Sequence, residues 1–275
     1  MSISTHNKTG KELELRPSYW ASVSGGKDSL YMLNYILHNL DRYPLNGVVH
    51  YELEIDFPFI KTVVDYMMSE CNRYNIPFFR IKPRRSWFEL YEEFGFPTGI
   101  VRWCNDLYKL DGQKQLKDFL RAQNGRLITY IGYCYDEEKR YEKRNRKDEI
   151  YPLVEAKIFE SDILEWAKNI PQFNNYYRYN NRCGCMFCPL QSMAQTAYLL
   201  KYYPNEYETM MALAQRTELE LSIRKGRPIS VFSGNPKYNT AYRDKRIREV
   251  YIAKLNEMDK QYEEDINEVY QSQDS

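Results

Sequence analysis

Residues 24–29 read Ser-Gly-Gly-Lys-Asp-Ser and fall between two runs of opposite texture. Before them, 19–23 is short and β-compatible; after them, Leu30, Leu33, Leu37 and Leu40 recur at helical spacing from Asp28 until Pro44 and Gly47 break the pattern. A strand that turns through two glycines straight into a helix is the opening connection of a parallel α/β unit. The alternation then continues, with strands predicted at 47–53, 75–81 and 126–134 and helices at 59–71, 86–94 and 106–120. Strands and helices alternating at this spacing predict an α/β fold: a twisted, mainly parallel five-stranded sheet with helices on both faces. In such folds ligands sit at the carboxyl ends of the strands.

Beyond residue 152 the texture changes. A short helix at 161–170 precedes a tyrosine-rich stretch at 174–181 and three cysteines, and 192–275 is helical apart from a break at 226–236. The chain of 275 residues, 43% hydrophobic and 28% charged, is enough for one or two domains. The expected division is an α/β domain over 15–175 and a helical region over 176–275 that begins with the cysteines. The acidic stretch 256–275 reads either as a solvated helix or as a disordered tail. Lys plus Arg total 39 against 38 Asp plus Glu, so no overall field draws the chain to a polyanion. A mean hydropathy of -0.70, with no apolar run near 20 residues, excludes a membrane-spanning helix. The polar segment 1–17 lacks the apolar centre of a secretory leader, so a cytoplasmic location is expected, where cysteines serve as free thiols or metal ligands rather than disulfides.

Two groups carry chemistry. In the loop, backbone N–H groups and the positive end of the helix dipole can close on an anion, with Ser24 and Ser29 as hydroxyl donors and Lys27 as a compact cation. Asp28 would repel a bare phosphate unless a divalent metal bridges the two, which suggests a nucleotide with Mg2+. The spacing is neither a Walker loop nor a dinucleotide fingerprint. In the second group, Cys183, Cys185 and Cys188 lie within six residues ahead of Pro189, and soft thiolates at that spacing take zinc or an iron–sulfur cluster, alternatives that spacing does not separate. Cys71, Cys104 and Cys134 are the available fourth thiols. Cys71 lies on a helical apolar stripe and Cys134 ends a strand, positions typical of small core hydrophobes. Basic patches at 80–85 and 139–147 fall in predicted loops and read as phosphate contacts or solvated surface, while 243–248 is expected on the polar face of a helix. The 26 tyrosines are mostly packing residues.

Ser24 to Ser29 resembles the pyrophosphate loop of the PP-loop ATP pyrophosphatases, the adenine nucleotide alpha hydrolase-like superfamily. Further motifs resemble its phosphoadenosine phosphosulfate (PAPS) reductase-like family. These are 56–64, with an acidic, proline-containing helix start; Arg102-Trp103-Cys104 with Lys109; 132–140, weakly, with Cys134 where arginine is usual; Tyr151-Pro152-Leu153; and 182–190, a close match to the metal motif. The resemblance implies that Ser24, Gly25, Gly26, Lys27, Asp28 and Ser29, with Arg102 and Arg140, hold ATP, and that Lys27, Asp28 and Lys109 are catalytic. It pairs Cys104 with Cys183, Cys185 and Cys188 around a 4Fe-4S cluster, zinc being the alternative, with Cys183 as the ligand that closes or leaves open one iron. It implies an enzyme that releases pyrophosphate from ATP, adenylates an acceptor and inserts sulfur. The complete loop favours that activity over sulfonucleotide reduction, and a non-catalytic nucleic-acid-binding protein with structural zinc is the reading from another class. Implied partners are a nucleotide, a sulfur donor and a nucleic-acid acceptor, tRNA or DNA, with homodimerisation open.

Overall fold

A computed structural model describes residues 17–122, 125–144, 147–233 and 235–273. Residues 1–16 of the amino-terminal segment 1–17 lie outside them, as do 145–146 of one basic patch. Five strands form one all-parallel sheet: β1 (Pro17–Val23), β2 (Gly47–Tyr51), β3 (Phe78–Ile81), β4 (Arg126–Tyr130) and β5 (Glu149–Ile150), in the order β3-β2-β1-β4-β5. Trp20 pairs with Gly47 on one side of β1 and with Thr129 on the other.

Helices α1 (Lys27–Leu37) and α2 (Pro58–Arg73) follow the first two strands, and α3 (Trp87–Phe94) follows β3. A π turn (Cys104–Lys109) runs directly into α4 (Leu110–Ala122), ahead of β4. Next come α5 (Glu138–Arg144), α6 (Pro152–Glu155) and α7 (Glu160–Lys168), the first of them before β5. The remaining helices are α8 (Tyr176–Tyr179), α9 (Met193–Tyr202), α10 (Pro204–Lys225), α11 (Thr240–Arg246), a second π turn (Ile247–Tyr251) and α12 (Ile252–Gln273). Local sequence sets the ends. Ser86 with Glu89 and Ser192 with Gln195 form capping boxes at α3 and α9, and α10 stops at Gly226, whose φ of 65° suits glycine.

Three expectations change. The fourth strand ends at Tyr130 rather than 134, because the chain turns in toward α1 at Gly132. Residues 138–144 form α5 rather than a loop, and Arg243 is buried rather than on a polar face. The stretch 256–273 is helical, the first of its two readings. Among the described residues no helix is long and apolar enough to cross a membrane.

The described residues divide into two compact units, one within 17–52, 63–82 and 110–163, the other within 53–62, 83–109 and 164–273. Aromatic packing explains why the early segments join the later unit: Phe57 lies 5.3 Å from Tyr176, Trp87 lies 5.2 Å from Phe187 and Phe96 lies 5.8 Å from Phe232, ring centre to ring centre. In the sheet unit, Trp20, Val49, Leu116 and Leu120 form a buried cluster with Tyr51, Ile81 and Leu127 against it. Gly112 lets α4 lie on β2, since a Cβ there would meet the Tyr51 ring at 2.2 Å.

The strand order fixes where a ligand can enter this unit. From β1 the chain builds β2 and β3 on one side, then crosses to place β4 and β5 on the other. The connections leaving β1 and β4 therefore diverge at their carboxyl ends, the topological switch point at which such sheets bind ligands.

Candidate functional site

The loop after β1 occupies that switch point. Gly25 has φ 78°, a conformation that strains any residue with a Cβ, and Gly26 caps α1 with its backbone alone, no side chain closing the helix end. Ser29 Oγ donates to the Gly26 carbonyl at 2.9 Å and accepts from Ser24 N at 3.2 Å, while Gly26 N donates to Ser24 Oγ at 3.3 Å. The two serines thus brace the turn from inside.

Lys27 points inward and is 1% exposed. Its ammonium donates to Asp28 Oδ1 at 2.6 Å and to Glu160 Oε1, at the start of α7, at 3.2 Å. Burial alone would depress this lysine, but the carboxylates of Asp28 and Glu160 outweigh it and hold the ammonium above its ordinary pKa. For Asp28 burial dominates: its carboxyl is raised, with Lys27 opposing and Glu160 and Glu137 adding to the rise. The structure therefore places Lys27, expected to face phosphate, between two carboxylates.

The loop after β4 comes in from the other side of the crevice. A Cβ on Gly132 would stand 3.0 Å from the Asp28 carbonyl oxygen and 3.4 Å from Ser29 N, so glycine is what lets the two connections touch. Cys134 Sγ donates to Asp28 Oδ1 at 3.7 Å, and its backbone N donates to Glu137 Oε2 at 3.2 Å. Burial, with Asp28 next, raises this thiol, so it stays protonated. Arg140 pairs with Glu137 and lies over the Tyr133 ring at 4.6 Å. Sequence reasoning left Cys134 outside the site and did not mark Glu137 or Glu160. Glu160 lies 133 residues from Lys27, and nothing in its neighbourhood distinguishes it.

The other predicted residues belong to the second unit. Cys104 opens the π turn and Lys109 ends it; Cys104 and Cys185 are 5% and 3% exposed. Lys109 is held above its ordinary pKa first by Cys185, against the effect of its own burial, with Cys188 and Cys104 contributing. It is thus an ammonium set among thiols. Cys188, accepting a hydrogen bond from Cys185 and facing Lys109, is lowered to about 6, while Cys185 is raised. Cys104 is raised by burial, and Arg102 is among the charges that oppose the rise.

Cys183 keeps different company. Burial, then Asp56, raises it, and the Tyr177 hydroxyl hydrogen-bonds its sulfur. The structure therefore gathers Cys104, Cys185 and Cys188 around Lys109 and sets Cys183 toward Asp56 and Tyr177. The donor chemistry suits a soft metal, although among the described residues no three His, Cys, Asp or Glu side chains stand together closely enough to hold one as placed. Main-chain anchors hold the thiol turn: Met186 N donates to the Ile55 carbonyl at 2.7 Å, and Gln191 Nε2 donates to the carbonyls of Cys185 and Met186, both at 2.9 Å.

No family model matches this chain. Over 213 residues it is 26% identical to the uncharacterized protein MJ0973 of Methanocaldococcus jannaschii, covering 71% of this chain and 47% of that protein. Over 216 residues it is 24% identical to the uncharacterized protein MJ0066 of the same organism, covering 71% and 41%. The chain spans about half the length of these curated relatives. Among solved structures, the U34-tRNA thiolase NcsA from Methanococcus maripaludis with its 4Fe-4S cluster aligns over 74% of this chain and 72% of its own, at a TM-score of 0.39 and 15% identity.

Proposed function

We propose that this chain is an ATP-dependent, AMP-forming sulfurtransferase of the PP-loop superfamily. One observation carries the reading: a two-glycine turn with a buried lysine opens α1 at the switch point of a parallel sheet, with Gly132 pressed against the first turn of that helix. The phosphate chain of ATP lies on the amides and hydroxyls of residues 24–29. When it enters, Lys27 exchanges Asp28 for a phosphate oxygen and Glu160 keeps the ammonium oriented. Mg2+, held by Asp28, supplies charge neutralisation along the phosphates.

An acceptor oxygen then attacks the α phosphorus, the bond to the bridging oxygen breaks, and pyrophosphate leaves with that electron pair. The acceptor now carries AMP on its oxygen. A sulfur nucleophile of the hydrosulfide class attacks the acceptor carbon, and AMP departs with the oxygen, so sulfur replaces oxygen with no net redox change. Lys27 and Arg140 are the cations of the sheet unit available to the departing phosphates, and Cys104, Cys185 and Cys188 are the side chains for a 4Fe-4S cluster, which supplies a place to hold sulfide. Lys109 balances the charge of those thiolates in this reading. The acceptor class in this reading is a nucleic acid, tRNA or DNA.

The test is pyrophosphate release from ATP with tRNA, DNA or small carbonyl acceptors, with Lys27→Ala as control. The expected result is acceptor-dependent release that Lys27→Ala abolishes. Absence of release with every acceptor overturns the reading.

A further inference from the structure

Arg243 belongs to a basic hexapeptide, 243–248, yet it is 6% exposed. It sits on α11, its guanidinium 4.5 Å above the Phe232 ring. Every acceptor it reaches is neutral: Nη2 donates to the Gln191 carbonyl at 2.6 Å, to the Ser192 carbonyl at 3.1 Å and to Thr196 Oγ1. Its Nε has no partner. The carboxylate next in sequence, Asp244, is engaged by the Tyr207 hydroxyl at 2.6 Å and by Arg248 at 2.8 Å. Among the described residues Arg243 forms no ion pair. Burial lowers it to about 10, and the groups that oppose this are Tyr207, Cys188 and Tyr251, none a carboxylate.

A buried guanidinium without a counter-ion is costly, and such charges are kept where an anion balances them. The acceptors of Arg243 lead to one place. Thr196 donates to Gln191 Oε1 at 3.2 Å, and the Gln191 amide holds the carbonyls of Cys185 and Met186. Gln191 and Thr196 are themselves buried, at 6% and 0% exposure. A continuous buried network therefore runs from Arg243 to the backbone of the thiol turn, with Cys188 the sulfur in range of its charge.

We propose that Arg243 is the positioning residue of the thiol centre, fixing the Cys185–Cys188 turn through Gln191 and supplying the positive charge that anionic sulfur there requires. It acts together with Lys109, one cation meeting the sulfurs directly and the other through the backbone. The inference rests on the reading that these thiols bind metal as thiolates.

The test uses the purified full chain with cobalt(II) as probe, followed by thiolate-to-cobalt charge-transfer absorption, in wild type, Arg243→Lys and Arg243→Met, with circular dichroism to establish folding. Loss of such an outer partner should weaken cobalt binding by about tenfold or more in folded Arg243→Met, and Arg243→Lys should stay within about threefold of wild type. After anaerobic loading with ferrous iron and sulfide, the midpoint potential of Arg243→Met should move to more negative values while that of Arg243→Lys stays put. A folded Arg243→Met with wild-type cobalt affinity overturns the proposal, as does a wild-type chain that binds no cobalt. Should Arg243→Met not fold, Arg243→Lys decides: a folded lysine variant that loses cobalt more than about tenfold shows that charge is not what the site uses. A wild type that binds cobalt but takes up no iron and sulfide removes the iron–sulfur reading and leaves Arg243 judged on the cobalt arm.

Discussion

Glu160 accepts from the Lys27 ammonium at 3.2 Å across 133 residues of sequence, tying the start of α7 to the loop after β1. Glu160→Gln keeps the shape and removes the charge, leaving a 1% exposed lysine with Asp28 as its remaining carboxylate partner in this pair of contacts. A hydrogen bond to a charged group is worth about 1.5 to 3 kcal/mol. A loss of that size is expected in urea unfolding, with a larger loss for Glu160→Ala. Unchanged midpoints in both would show that the contact does not hold the loop.

Gly132→Ala puts a methyl 3.0 Å from the Asp28 carbonyl and 3.4 Å from Ser29 N. Backbone on both sides leaves little room to give, so a destabilisation of about 1 to 3 kcal/mol is expected, together with weaker ATP binding by calorimetry. A variant with wild-type stability and ATP affinity would mean that the two connections need not touch.

The pH dependence of stability should carry the mark of His50. This residue is 3% exposed on β2, donating from Nδ1 to the Val23 carbonyl at 3.1 Å, and burial lowers its pKa against that hydrogen bond. Below about pH 6.5 the unfolded chain takes up a proton that the folded chain resists, so stability falls as pH drops, by up to about 1.4 kcal/mol per unit. His50→Asn should flatten the slope between about pH 6.5 and 5.5 whatever its effect on absolute stability. The same slope in both proteins would assign the acid sensitivity elsewhere.

The four cysteines expected to share one metal should not respond alike. Serine at Cys104, Cys185 or Cys188 is expected to abolish metal uptake after anaerobic reconstitution, while Cys183→Ser, whose sulfur meets Tyr177 and Asp56, should retain it. Metal content by elemental analysis checks this. Equal loss in all four variants would make Cys183 a full ligand.

The α/β architecture could be read from the chain because its signals are local. A short β-compatible run stops at the glycines at 25 and 26, and Leu30, Leu33 and Leu37 recur at helical spacing just after Asp28, so both signals lie within about twenty residues. The strand Glu149–Ile150 escaped notice, since two residues carry no periodicity and pair only because β4 presents an edge. The nearness of Cys134 to Asp28 was equally silent, because an apolar run ending in cysteine looks like core until Gly132 turns it toward α1. Arg243 read as surface because its neighbours are charged, and its burial depends on Gln191 and Thr196, about fifty residues earlier in the chain.

The π turn over Cys104–Lys109 holds one residue more per turn than the α-helix it feeds. A π turn bonds each residue to the fifth one on, so Cys104 and Lys109 fall on one face, where five residues of ordinary winding would set them about 140° apart. The meeting of that thiol with that ammonium is accordingly written in the winding of the chain, since the same residues wound as an α-helix would carry the two side chains apart.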